Sequence, residues 1–347
     1  MTTSNQQDNR ELSQLIGPLP FHYQSIKILE SHRPKGFRFH NHSIIIDAQF
    51  KEVSIISCGE DSELMAAIAK ARSELIERTA LANLPSLEWN LNKTGIPIKC
   101  NTSNGWAAHP QKNKAEIGAV LELLERDAVM AQWYKESPFL ELEIALAPEP
   151  FPLKVINWAN TELAQSEFPI LRILLSTEGL GASITCLLLN NQGFGVCGHS
   201  TKLQLEDAVD NAIGEACRAA QFTLRKSFWR DSLSLKENSY DAKINPGAHG
   251  VYYAYHEAFP KWMFGNQISW NLALTLWNKS ISRILNTYFD EFNLITQYHA
   301  PLFVSCARHP KALVLTWGNT DQKRIEELRS NERLKGVTIN TKPHIIS

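Results

Sequence analysis

Apolar positions along the chain change their period several times, and each change marks an element. His42 to Phe50 and Val53 to Ser57 are apolar, β-rich runs and predict two strands. Ser62 then caps a predicted helix to about Leu84, with Met65, Ile68, Ala69, Leu75 and Ile76 as its apolar positions. Ile96 to Thr102 predicts a strand, and a loop with Gly105 and Pro110 follows. Asn113 with Glu116 has the form of an N-cap and its capping-box partner, opening a second helix. Phe139 to Ala147 alternates as a strand does, and Pro148-Glu149-Pro150 ends it. Pro152 to Gln165 predicts a helix. Pro169 to Ser176, Ala182 to Leu189 and Phe194 to Gly198 predict three strands joined by glycine-containing turns. A third long helix spans about Leu205 to Arg230, and a fourth lies near Gln267 to Phe292. Strands at Leu302 to Ala307 and Lys311 to Trp317, then a helix at Asp321 to Arg333, complete the pattern.

No Pro/Gly/Ser linker divides these elements. They predict one α+β domain over residues 16–347, with antiparallel sheets covered by helices. Residues 1–15 are polar and predicted to be disordered. Twice, strands are followed by a carboxylate-bearing helix, which suggests an internal pseudo-repeat.

Two of those helices carry the same pattern, E-x-x-E-R: Glu74, Glu77 and Arg78 in the first, Glu122, Glu125 and Arg126 in the second. Positions i, i+3 and i+4 share a helix face, so each copy presents two carboxylates and a guanidinium together. Chance gives two such copies in about one chain in a thousand at average residue frequencies. The pairs would serve as helix salt bridges. Brought together, the four carboxylates could instead hold hard divalent cations, and the arginines could meet phosphate oxygens. A solvated salt-bridge face should be polar around the motif, whereas here the flanks are Ala, Ile, Leu, Val and Trp. Asp127 points to another face of its helix and reads as a structural hydrogen bonder.

Composition narrows the function classes. The chain has 347 residues, 44% hydrophobic and 20% charged, enough to bury a core. Its 35 basic and 36 acidic residues nearly cancel, so no basic field argues for nucleic acid. The longest apolar runs are strand-length, and nothing predicts a membrane span. The polar N-terminus is unlike a signal peptide. The six cysteines are scattered without C-x-x-C, which predicts reduced, mostly buried thiols in a cytoplasmic protein. His40-Asn41-His42 is the closest histidine pair and gives no zinc spacing. Phosphate-loop, dinucleotide and nucleophile-elbow signatures are all absent from the sequence.

Three segments, SCGEDSELMAAIAKARSELIER, TSNGWAAHPQKNKAEIGAVLELLERDAVMAQW and GHSTKLQLEDAVDNAIGEACRAAQ, resemble in that order the nucleotide-binding segments of the YcaO superfamily. The resemblance covers roughly residues 43–320. Its most specific parts are the two E-x-x-E-R helices, the lead-in Ser103 to Ala108, and Glu215-Ala216. Ala307 to Gly318 resembles the family's penultimate strand region.

The resemblance implies ATP and Mg2+ as cofactors. Glu74, Glu77, Glu122, Glu125 and Glu215 match the family's magnesium-binding carboxylates. Lys70, Arg78, Arg126, Arg218 and Gln221 are the candidates on the nucleotide side, and Arg78 and Arg126 would alternatively hold the glutamates in place. No catalytic residue beyond these is assigned. The chain departs from the family at Glu60, where many members carry a phosphate-facing lysine. It departs again at Lys70, often a serine, and at Arg218, usually a glutamine. Lys70, one turn before Glu74, is the candidate to supply the missing charge. The C-terminus keeps one proline and one histidine, Pro343 and His344, of a proline-rich tail found in azoline-forming members. A frayed surface tail is the alternative.

The implied activity is ATP-dependent activation of peptide backbone amides in the maturation of a ribosomally made peptide. Azoline-forming cyclodehydration is the leading chemistry, and thioamide formation or a non-catalytic docking role are the alternatives. The implied partners are a precursor peptide, a separate leader-peptide-binding protein and a flavin dehydrogenase. A homodimer stays open, and neither nucleic acid nor membrane is expected.

Overall fold

Burial of alternate strand residues and of one face per helix sets the architecture. In a computed structural model of the chain, the structure describes residues 15–31, 34–83, 88–90, 97–99, 104–144, 150–224, 252–313, 315 and 322–346. In chain order the elements are β1 (Ser25–Glu30), β2 (His42–Phe50), β3 (Val53–Asp61), α1 (Leu64–Asn83), β4 (Glu88–Asn90), β5 (Pro97–Lys99), β6 (Trp106–His109) and α2 (Lys112–Lys135). They continue with β7 (Phe139–Glu143), α3 (Pro150–Thr161), β8 (Ile170–Ser176), β9 (Ser183–Leu189), β10 (Gly195–Ser200) and α4 (Leu205–Thr223). The last are β11 (Phe264–Ser269), α5 (Trp270–Arg283), β12 (Asn293–His299), β13 (Leu302–Arg308) and α6 (Gln322–Arg329). The fold class is α+β, as the sequence predicts. The expected disorder of residues 1–15 falls almost wholly outside the described residues. So does the far end of the third long helix. Of the strand expected at Lys311 to Trp317, residues 311–313 and 315 are described and are not in a strand, and the rest lie outside the described residues.

The chain divides into two compact units: residues 1–33, 40–123 and 292–308 form one, and residues 34–39, 124–291 and 309–347 the other. In the first unit an antiparallel sheet has the order β1-β2-β3, and a second has the order β12-β13-β6. In β2, Ile44, Ile46, Ala48 and Phe50 alternate with half-exposed residues and form one buried face. That face packs with Ile28 and Ile55 against Ala67, Ile68, Ala71 and Leu75 of α1. Small residues let the helix come close: a Cβ on Gly59 of β3 would sit 2.0 Å from the Ala67 carbonyl oxygen and 2.4 Å from the Ala71 nitrogen. Ile68, Leu75 and Ile76 are buried as the sequence pattern predicts, but the first turns of α1 differ. Met65 is 55% exposed, and Ala67 and Ala71 take the inward positions. On its other side α1 packs Ile76 and Ala80 against Trp106, Leu302, Val304 and Cys306.

In the second unit the five strands run β10-β9-β8-β7-β11. All their pairings are antiparallel except β7 with β11, which is parallel. β9 is buried along its whole length, from Ser183 to Leu189. It therefore reads as a continuous apolar run rather than an alternating one. The sheet packs under α4, whose Ala208, Val209, Ala212, Ile213 and Ala216 are all fully buried. From Ala128 to Tyr134 every residue of α2 is buried, and Trp133 and Tyr134 join the unit's main core with Phe139, Leu174, Tyr253 and Met263. Each fully buried side chain of this kind contributes roughly 1.5–3 kcal/mol.

Several boundaries differ from the sequence expectations for identifiable reasons. α2 begins at Lys112 rather than after Asn113, and no capping box closes it, because Glu116 accepts a hydrogen bond from the Thr296 hydroxyl at 2.9 Å. The helix expected from Gln267 begins at Trp270. The preceding residues are drawn into β11, and Ser269 caps the helix by accepting from the Leu272 N–H at 3.3 Å. β1 and β12 lack strong apolar alternation, and they form through pairing with β2 and β13.

Residues 340–346 are packed in the second unit rather than frayed. Ile345 and Ile346 are fully buried. The Trp133 indole N–H donates to the Lys342 carbonyl at 3.2 Å, the Tyr253 hydroxyl to Pro343 at 2.6 Å, and the Cys197 thiol to Ile345 at 2.7 Å. Each of these bonds uses a backbone carbonyl of the tail, while Ile345 and Ile346 join the unit's main core. None of the five described cysteines is in a disulfide. Burial pushes the Cys186 and Cys197 thiols up, so they remain protonated.

Asp127 organises the second unit. Its carboxylate is fully buried. One oxygen accepts from the Leu180 N–H at 2.7 Å, and the other from the Leu313 N–H at 2.7 Å and from Arg333 at 2.5 Å. Arg333 also donates to the carbonyls of Lys311 and Glu178, each at 3.1 Å. One side chain thus ties three distant segments to α2. Asp127→Ala should lower unfolding stability by about 2–4 kcal/mol, because it leaves the half-buried Arg333 guanidinium without its counter-charge and two backbone N–H groups without their acceptor. Chemical denaturation measures this, and a loss below about 1 kcal/mol would remove Asp127 from this role.

Candidate active site

A strand at the edge of a sheet leaves alternate N–H and C=O groups without a ladder partner. β3, β6 and β10 are edge strands of three different sheets, and each is followed by a helix. Each donates one edge N–H to a glutamate sixteen residues further on: Cys58 to Glu74 at 2.6 Å, Trp106 to Glu122 at 2.7 Å, and His199 to Glu215 at 3.3 Å. These three glutamates are among the five that the sequence singles out.

On β3 the contact extends into a row. Lys70, Glu74 and Arg78 lie on one face of α1 at successive turns, and residues 60, 58 and 56 alternate along the strand edge. Lys70 donates to the Glu60 carbonyl at 2.9 Å and Arg78 to the Ile56 carbonyl at 2.6 Å, with the Cys58 N–H bond between them. A helical turn rises about 5.4 Å and two strand residues about 6.8 Å, so the two repeats stay near register over three contacts. Lys70 also pairs with Asp61 at 2.8 Å. Burial raises the Asp61 carboxyl, but the Lys70 and Glu63 hydrogen bonds and the Lys70 charge outweigh it, so the group ends below its ordinary value. Glu60, which stands where a lysine is expected, is buried. Its carboxylate lies 3.5 Å from the Ser43 hydroxyl and 3.9 Å from the His40 ring. Glu77 is half-buried on the same helix.

On β10 the edge serves two glutamates. His199 donates to Glu215 of α4, and Thr201, two residues on, donates to Glu125 of α2 at 3.1 Å. The second unit thus brings Glu215 and Glu125 to N–H groups two residues apart, one in β10 and one just past its end. Gly198 makes this approach possible, since a Cβ there would sit 2.3 Å from the Ala212 carbonyl oxygen and 2.7 Å from the Glu215 Cβ. Arg126 lies 3.5 Å from Glu125, and Arg218 lies 3.5 Å from Glu215. Asn211 donates to Glu215 at 3.4 Å, and Gln221 is buried one turn beyond Arg218. Glu125 is 6% exposed, whereas Glu215 is only half-buried.

His199 is fixed on both sides. Its ring nitrogens meet the Thr185 hydroxyl at 2.9 Å and the Ile345 carbonyl at 3.4 Å. A carbonyl only accepts, so Nε2 carries the proton and Nδ1 accepts from Thr185. Burial pushes the imidazole down to about 3, the Arg126 charge adds to that, and the Ile345 bond opposes it. The ring is therefore neutral at physiological pH.

The backbone donors were invisible as site residues in the sequence. One signal for them is present: Gly105-Trp106 precedes Glu122, and Gly198-His199 precedes Glu215, by the same interval. Within each unit, among the described residues, no group of three or more His, Cys, Asp or Glu side chains is gathered for a metal ion. The donor chemistry nevertheless suits magnesium, a hard cation that takes carboxylate oxygens.

A family model described as "YcaO cyclodehydratase, ATP-ad Mg2+-binding" matches residues 88–290, more than half of the chain. No curated protein sequence matches it. Among solved structures, the YcaO protein from Methanopyrus kandleri bound with AMPPCP and Mg2+ is 13% identical with a TM-score of 0.56, over 87% of this chain and 88% of that one. A heterocyclase in complex with substrate and cofactor is 13% identical with a TM-score of 0.57, over 99% of this chain and 57% of that one. At these identities the structural likeness establishes the fold alone.

The buried neutral His199 gives a pH signature. The unfolded chain takes up a proton near pH 6.5 that the folded chain refuses until about pH 3. Stability is unaffected above pH 6.5 and should fall by up to about 1.4 kcal/mol per pH unit below it. His199→Gln should make the slope between pH 6 and pH 4 shallower by about one proton's worth. Unfolding curves of the two chains with equal slopes would contradict the assignment.

Proposed function

The chain belongs to the YcaO family, and on that premise we propose that it uses ATP and Mg2+ to activate peptide backbone amides, forming azolines in a ribosomally made precursor peptide. The observation that carries this reading is the repeated anchoring of Glu74, Glu122 and Glu215 to strand edges, with Glu125 beside Glu215. Magnesium would be held by oxygens of Glu74, Glu77, Glu122, Glu125 and Glu215. It would supply charge neutralisation at phosphate oxygens. Strand-edge N–H groups fix one oxygen of Glu74, Glu122, Glu125 and Glu215. Arg78, Arg126, Arg218 and Gln221 are offered to the nucleotide, with Lys70 as a further point charge.

The chemistry asked of the chain is mainly positioning. A Cys, Ser or Thr side chain of the substrate attacks the preceding carbonyl carbon and gives a hemiorthoamide. Its oxygen takes the terminal phosphoryl group of ATP, with ADP leaving. Loss of phosphate and of the amide proton then closes the C=N bond of the azoline. A precursor peptide and a leader-peptide-binding protein are the proposed partners, with a flavin dehydrogenase acting after ring closure where an azole is the product.

One observation favours a second reading, a non-catalytic docking subunit of the same fold. Glu60 replaces a cation with a buried carboxylate, and its backbone carbonyl occupies Lys70. Nucleotide binding measured with and without magnesium separates the two readings.

Glu125→Gln and Glu215→Gln test the proposal most cleanly. The amide oxygen still accepts the Thr201 or His199 N–H, so the scaffold bond survives while the charge is lost. Each variant should keep the wild-type circular dichroism and melting behaviour to within about 1 kcal/mol, and lose ATP turnover by about 100-fold or more. Undiminished magnesium-dependent turnover in both variants would leave these glutamates a structural role only.

A further inference from the structure

Three of the anchored glutamates share a second feature. The oxygen that does not face the strand meets a guanidinium from the same helix: Glu74 with Arg78 at 2.6 Å, Glu125 with Arg126 at 3.5 Å, and Glu215 with Arg218 at 3.5 Å. The sequence intervals are four, one and three residues, yet the outcome is the same. In each case Oε2 accepts the strand N–H and Oε1 faces the arginine. Pairs whose only role is helix stability gather at exposed i,i+4 positions and contribute a few tenths of a kcal/mol. These carboxylates are less exposed, at 26%, 8% and 29% of the side chain, and each is held in one orientation.

From this we infer that the arginines are resident counter-cations, which a divalent ion displaces and which then turn to phosphate. The inference rests on the magnesium and nucleotide reading above. A buried or half-buried carboxylate without a cation is costly. A guanidinium stays charged at any physiological pH and keeps the carboxylate ionised and ordered. It takes the same oxygen that a divalent ion requires, so the two cations exclude one another at Oε1. Once displaced, the arginine remains on the same helix within a turn of the ion. It carries a planar fork suited to phosphate oxygens. Metal binding therefore prepares the nucleotide contact. By linkage, nucleotide binding must favour the metal by the same factor. Arg218 is the most informative member, since its carboxylate Glu215 is the most exposed of the three.

The test uses the full chain, with Mn2+ as the metal probe followed by the electron paramagnetic resonance of the free ion, and a non-hydrolysable ATP analogue titrated calorimetrically. Arg218→Gln should bind Mn2+ alone roughly three- to fivefold tighter than the wild type, the range expected for removing a partly exposed counter-charge. At saturating Mn2+ it should bind the analogue at least as many times more weakly. Arg218→Lys keeps the charge without the fork. It should stay within about twofold of the wild type for Mn2+ while also losing analogue affinity. A purely structural arginine gives a different result, in which both affinities fall together or Mn2+ binding is unchanged, and either overturns the exchange. A wild-type chain that binds neither Mn2+ nor the analogue overturns the functional reading beneath it, and the exchange with it.

Discussion

The hydrogen bond from an edge-strand N–H to a helix glutamate is the constraint on which the rest of the structure depends. An exposed sheet edge invites pairing with another chain, and a buried edge without acceptors is costly. β3, β6 and β10 resolve this with a charged acceptor from the helix that follows each of them. The same bond fixes a carboxylate oxygen against a rigid sheet. The residues that satisfy the fold at these positions are the ones proposed above for magnesium.

That demand propagates into packing. A helix side chain reaches a strand backbone only if the two elements approach closely, which is why Gly59 and Gly198 face helix backbone with no space for a Cβ. Beyond the contact, neighbouring residues hold the helices in register. Asp127, one residue after Arg126, ties α2 to Leu180, Leu313 and Arg333. His199 fastens the strand that presents Glu215 to the packed tail at Ile345. Substitutions at these supports would act on the carboxylates without touching them.

The places where sequence pattern and structure part company are those where a distant partner outweighs a local preference. Asn113 and Glu116 have the spacing of a capping box, but Thr296 takes the Glu116 carboxylate and the helix starts earlier. Met65 and Ala69 have the hydrophobicity of inward positions, but Ala67 and Ala71 are the residues whose backbone meets Gly59 of β3, and Met65 is left exposed. β11 forms by pairing in parallel with β7, more than a hundred residues away, and no local periodicity signals it.

The sequence by itself determined the α+β class, the long helices, most of the strands of the five-stranded sheet, and the identity of the glutamates. Hydrophobic period and residue type are local properties, and the E-x-x-E-R spacing places its carboxylates on one helix face wherever the helix goes. Tertiary structure alone decided what each carboxylate touches. That Cys58, Trp106, His199 and Thr201 supply backbone donors follows from which strands lie at sheet edges, and edge position is set by the pairing of segments far apart in the chain. The tail was likewise ambiguous as sequence. Its carbonyls are the same in any residue, and the indole, phenol, thiol and imidazole that converge on them, with the core that receives Ile345 and Ile346, come from distant segments.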